Sequence, residues 1–156
     1  MEGFTLALAL VDAIPVLLFA ASAILLGARL SSPLFLIGAV LSALAGCCKV
    51  VWKLMLAARE KNVKWLNKCF LPLMGAGWLL IAISLCLGFK NSSWNAKALL
   101  TMPSLALWIL TIVLFIFMGW YRKKRFKNDD AKSNWTAQIV NIIAQAALFL
   151  AILLAR

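Results

Sequence analysis

Histidine is absent from this chain, and only 5 acidic residues stand against 16 lysines and arginines. Without imidazole the chain lacks the usual general base at neutral pH and the commonest zinc ligand. With so few carboxylates and no clustered nucleophile–base pair, hydrolysis and metal-assisted catalysis have little to work with. No metal or cofactor is expected, and an enzyme ranks behind a binding protein. The four cysteines, Cys47, Cys48, Cys69 and Cys86, show no CxxC spacing. They are expected to serve as small buried hydrophobes.

Charged residues make up only 13% of the composition and hydrophobic residues 65%, so no segment is polar enough to form a soluble domain. Apolar runs dominate instead, at 4–28, 34–57, 69–89, 99–120 and 135–155. Each reaches about 20 residues, the length a helix needs to cross ~30 Å of hydrocarbon. A soluble protein of this composition would expose far too much apolar surface. The expected fold is all-α: one integral membrane domain, 1–156, built as a bundle of five transmembrane helices. The first run has no basic segment before it and exceeds a signal-peptide core in length, so it is expected to remain as a span. No internal repeat is visible, and an odd number of spans argues against a simple inverted duplication.

The net charge of +11 raises the question of nucleic acid. No basic soluble module exists to carry that function, so nucleic acid is not an expected partner. The cations gather in two connections, 58–68 and 121–134. The first holds Arg59, Lys61, Lys64 and Lys68, and the second Arg122, Lys123, Lys124, Arg125, Lys127 and Lys132. In a five-span chain both connections fall on one side, which should be cytoplasmic. That places the N-terminus inside and the C-terminus outside, with the plasma (inner) membrane as the expected location. Arg29, Lys90, Lys97 and Arg156 are left for the other side. Trp65, Trp120, Tyr121 and Trp135 would flank the inner face and Trp94 the outer one. The basic run 122–127 suits anionic lipid headgroups. Asn91 and Asn134 each begin an Asn-X-Ser/Thr pattern, which carries meaning only in a eukaryotic secretory setting.

Ionisable groups inside a membrane are costly, so each is a candidate functional residue. Asp12, Lys49 and Lys53 are the three here. Asp12 and Lys49 each lie about eight residues from the basic end of their spans, ~12 Å deep at ~1.5 Å per residue. An Asp12–Lys49 ion pair is the expected contact, with Lys53 one turn nearer the surface and able to snorkel. Gly38, Ser42, Gly46, Lys49 and Lys53 fall within an arc of about 80° on the second span. Small residues four apart allow close helix approach, so this face should pack inside the bundle. Pro15 frees the carbonyl of Val11 beside Asp12. On the fifth span Gln138, Asn141 and Gln145 share a face about 60° wide, and Ala147, Ala151 and Ala155 lie roughly opposite. On the fourth, Thr101, Ser104, Trp108, Thr111 and Phe115 share another.

The five-helix tryptophan-rich sensory (translocator) proteins share this size and span number, but their proline- and tryptophan-rich loop motifs are missing here. Small multidrug transporters also place an acid early in the first helix, yet they have four spans. The residues therefore carry the reading alone. Asp12, Lys49, Lys53, Gln138, Asn141 and Gln145 form one polar cluster in the basic half. The expected function is to bind or transport a small solute or lipid there, with an anionic or zwitterionic ligand favoured by the excess of lysine. The alternative is a non-catalytic accessory subunit, in which the polar groups only hold helices together and the partner is a membrane protein or a second copy.

Overall fold

A computed structural model describes residues 6–58, 63–88, 100–124 and 130–155. Arg59, Lys61, Lys90, Asn91, Trp94, Lys97, Arg125, Lys127 and Arg156 lie outside the described residues. The chain is all-α, with helices α1 Leu6–Val11, α2 Ala13–Leu30, α3 Pro33–Ala57, α4 Lys64–Lys68, α5 Phe70–Gly88, α6 Ser104–Lys124 and α7 Ala131–Leu154. They make 5 segments long and apolar enough to cross a membrane: Leu6–Leu30, Pro33–Ala57, Lys64–Leu87, Ser104–Lys124 and Ala131–Leu154. The protein is an integral membrane protein of the expected class. Lys64, Lys68, Arg122, Lys123, Lys124 and Lys132 all belong to one end of the bundle, called the basic end below.

The helix boundaries follow local chemistry. α1 and α2 are one span interrupted at Asp12, three residues before Pro15, whose missing N–H breaks the ladder there. Asp12 keeps a helical conformation, and its N–H still donates to the Leu8 carbonyl at 3.0 Å, so the span bends rather than ends. Ser31 turns the chain with φ 48°, and Ser32 then caps α3 by accepting the Phe35 N–H, with Pro33 opening the helix. α6 runs on to Lys124, beyond the apolar stretch. α7 starts earlier than hydropathy suggests because Asp130 caps it, accepting from Ser133 N at 3.0 Å and Ser133 Oγ at 2.7 Å. The Ser133 hydroxyl holds the Asp130 carboxyl below the usual carboxylate range, so this cap is intact at neutral pH and is lost as pH falls through the depressed value. Asn134 is buried in the same turn, donating to the Asp130 carbonyl, which leaves it unsuited as a glycan acceptor.

The helices pack in the order α5–α3–α2–α7–α6. The tightest contact is α3 on α5. A Cβ on Gly38 would stand 2.7 Å from the Gly77 carbonyl oxygen, and one on Gly77 would stand 2.6 Å from that of Gly38. Ser42 folds its hydroxyl back onto the Gly38 carbonyl at 3.0 Å, which keeps the face small. Gly46, further along the same stripe, receives Val16 of α2. The stripe thus seats α5 and α2 side by side. On the other flank Ala144 and Ala151 of α7 are fully buried, Ser104 donates to the Ala151 carbonyl at 2.7 Å, and Thr111 lies against α7. Two cysteines depart from expectation. Cys47 and Cys86 are exposed on the outer surface, while Cys48 and Cys69 are half-buried. A thiol is weakly polar and costs little against lipid, so burial is not required of it.

Arg29 has a role that hydropathy does not reveal. Its guanidinium donates to the carbonyls of Ile152 at 2.5 Å and Ala155 at 2.6 Å, capping the C-terminal end of α7. These carbonyls have no partner within the helix, and the helix dipole favours a cation there. Arg29→Met should lower stability by about 1.5–3 kcal/mol, the worth of hydrogen bonds from a charged donor. Hydrogen exchange would show faster opening of the last turns of α7, while the basic end stays unchanged.

Candidate functional site

A cavity of about 310 Å³ lies in the basic half, lined by residues of α2, α3, α5, α6 and α7 together with Asp12. Small-ligand sites typically begin at about 300 Å³. All six residues singled out from sequence, Asp12, Lys49, Lys53, Gln138, Asn141 and Gln145, line it. Arg122 does as well, although hydropathy places it in a connecting loop. The signal for it was periodic: Arg122 follows Phe115 by seven residues, two helical turns along one face. The remaining wall is apolar and aromatic, with Phe19, Phe70, Met74, Trp78 and Phe115.

The ion pair differs from the expected one. Asp12 Oδ2 meets Lys53 Nζ at 2.7 Å, not Lys49, and both partners are buried. The register of α3 against the bend at Asp12 brings Lys53 level with the carboxylate. A buried ammonium in reach of a buried carboxylate gains more from pairing than from snorkelling out. Lys49, one turn deeper, instead holds its Nζ 4.4 Å from the centroid of the Phe70 ring. That cation–π contact is worth about 0.5–2 kcal/mol and leaves the ammonium without a counter-charge.

The two lysines therefore play different parts. Lys53 is neutralised by Asp12 and belongs to the scaffold. Lys49 and Arg122 make no ion pair among the described residues, so the cavity is lined by two unpaired cations, Lys49 half-buried and Arg122 exposed.

The amides of α7 point the same way. Gln138 Oε1 and Gln145 Oε1 are buried and have no hydrogen-bond partner among the described residues. An orphan buried acceptor costs about 1–3 kcal/mol, which is relieved when the carboxamide turns toward a polar guest. Gln138 is only 8% exposed, so bulk water does not serve it. The interhelical-glue reading would have these amide oxygens bonded to neighbouring helices, and they are not bonded among the described residues. Trp108 Nε1 is likewise unpartnered, outside this cavity, and nothing in the structure explains it.

The arrangement can hold an anion by charge, orient it by amide hydrogen bonds and cover an attached apolar group with aromatic rings. No protein-family model, curated protein sequence or solved structure matches this chain, so the geometry stands alone as a guide to function.

Proposed function

We propose that this protein binds, and carries across or within the membrane, a small anionic or zwitterionic solute or lipid headgroup held in the cavity of its basic half. The observation that carries this reading is the coincidence of two unpaired cations, Lys49 and Arg122, with two unpartnered carboxamide oxygens, those of Gln138 and Gln145, around one cavity. A half-buried ammonium at Lys49 and unbonded amide oxygens are both unfavourable inside a bundle, and one guest relieves both. The excess of positive charge at the same end supports an orientation with the basic end, and so the N-terminus, in the cytoplasm.

The test is direct binding of a phosphate-bearing probe, glycerol phosphate, by equilibrium dialysis. Lys49→Met removes the deeper cation without touching the Asp12–Lys53 pair. It should weaken binding by about 10–100-fold, the loss expected for a charge-assisted hydrogen bond of about 1.5–3 kcal/mol. Its thermal stability should stay close to that of the parent protein. Unchanged binding in Lys49→Met and in Arg122→Gln would remove the basis of the proposal.

A further inference from the structure

We infer that the guest is a membrane lipid, an anionic glycerophospholipid that enters sideways between α5 and α6 with its acyl chains left in the bilayer. This rests on the cavity reading above and narrows it to one source of the anion. The packing order α5–α3–α2–α7–α6 leaves α5 and α6 as the two ends of an open series. They form no packed interface among the described residues, yet both line the cavity, through Met74 and Trp78 on one side and Phe115 and Arg122 on the other. Among the described residues no helix packing closes the cavity wall between them, which leaves it open toward the plane of the membrane.

The sides of this cleft have the chemistry of hydrocarbon. Trp78 and Phe115 line the cavity and also face outward, 53% and 40% exposed. Gly75 shares the flank of Trp78, and Gly119 lies about one turn from both Phe115 and Arg122 on their helix face. A Cβ added at either glycine meets no described atom within 4 Å, whereas Gly38 and Gly77 are in tight backbone contact. The two glycines thus serve no helix packing and leave free space on the edges of α5 and α6 that flank the cleft.

A soluble anion has no use for a lateral, apolar mouth, and it would have to reach the cavity from water. A lipid needs such a mouth, because its headgroup can shift inward while its chains never leave hydrocarbon. Arg122, near the end of α6, stands at headgroup level, and Lys49 lies deeper. The same cavity is lined by Gln138 and Gln145, whose free acceptors suit the hydroxyl donors of a glycerol headgroup.

The experiment compares three probes on the full chain: phosphatidylglycerol, phosphatidylcholine and glycerol phosphate. Lipid retention is read by native mass spectrometry, and glycerol phosphate by dialysis. Phosphatidylglycerol should be retained over phosphatidylcholine by about tenfold or more, with the preference lost in Lys49→Met. Gly75→Trp with Gly119→Trp adds bulk on the two helix edges beside the cleft, where there is room for it, and is designed to plug it. Retention of phosphatidylglycerol should fall by about tenfold, with glycerol phosphate binding unchanged. That unchanged binding also reports that the plugged protein is folded. In the parent protein, phosphatidylglycerol with photoreactive chains should label Trp78 and Phe115 in preference to the outward-facing Leu17 and Ile24. Glycerol phosphate binding with no lipid preference and no effect of the plug would overturn the lateral route and leave the cavity reading standing. Failure of all three probes would overturn both. Retention of a second chain across α5 and α6, with lipid indifferent to Lys49→Met, would assign the cleft to an interface between proteins and overturn the lipid.

Discussion

Lys53→Met is expected to destabilise the bundle by about 3–5 kcal/mol, because it leaves the Asp12 carboxylate buried without its counter-charge. Asp12→Asn should cost a similar amount by stranding the ammonium of Lys53. Combining Asp12→Asn with Lys53→Met removes both charges, and most of the loss should be recovered. The strong coupling follows from geometry: a 2.7 Å contact between two buried groups is the setting in which single substitutions overstate the worth of the pair. Thermal unfolding of the three variants in lipid nanodiscs gives the cycle. Additive losses would mean that water in the cavity screens the pair. Lys49→Met is the internal control, since Lys49 has an aromatic ring and not a carboxylate beside it. Two lysines one turn apart on one helix should thus separate, one governing stability and the other ligand affinity.

The second large effect belongs to Gly77. A Cβ there would meet the Gly38 carbonyl oxygen at 2.6 Å and the Ser42 amide nitrogen at 2.9 Å. The Ser42 hydroxyl lies closer still and can rotate away, but these two are backbone atoms of α3 and cannot. α5 has few other supports, and pushing it from α3 exposes the whole seam. Gly77→Ala should therefore cost at least the upper end of the usual overpacking range of about 1–3 kcal/mol. Gly75→Ala, two residues away, meets nothing and should be neutral or stabilising by about 0.4–1 kcal/mol through the unfolded chain and helix propensity. The melting temperature should fall in Gly77→Ala and hold or rise in Gly75→Ala. Equal losses would show that helix flexibility, and not close approach to α3, explains both glycines.

These contrasts also show what the amino-acid pattern can convey about a membrane bundle. The five spans were legible because apolar runs of sufficient length have one stable solution in lipid. The small-residue stripe on α3 was legible as a packing face, because Gly38, Ser42 and Gly46 recur at helical spacing. Which helices it would receive was not, since a face says that something packs there without naming the neighbour. For the same reason the opening between α5 and α6 has no signature in sequence. The choice between Lys49 and Lys53 was lost to register. Depth estimates rest on where each span begins, and an error of one turn exchanges the two lysines. Arg122 was hidden by the opposite error, because hydropathy ends the fourth span where α6 continues for several more residues. The Arg29 cap joins residues 123 and 126 positions apart, a distance no local pattern spans.

Lys49 and Arg122 are proposed to form an anion site beside, and apart from, the Asp12–Lys53 ion pair. Native mass spectrometry of protein released gently from lipid tests it most directly, comparing the parent, Lys49→Met and the Asp12→Asn/Lys53→Met double variant. A discrete bound anionic mass is expected on the parent and on the double variant, with its loss in Lys49→Met and the fold retained. A bound mass that survives Lys49→Met, or that disappears only when the Asp12–Lys53 pair is removed, would contradict it and return the polar cluster to the role of helix glue.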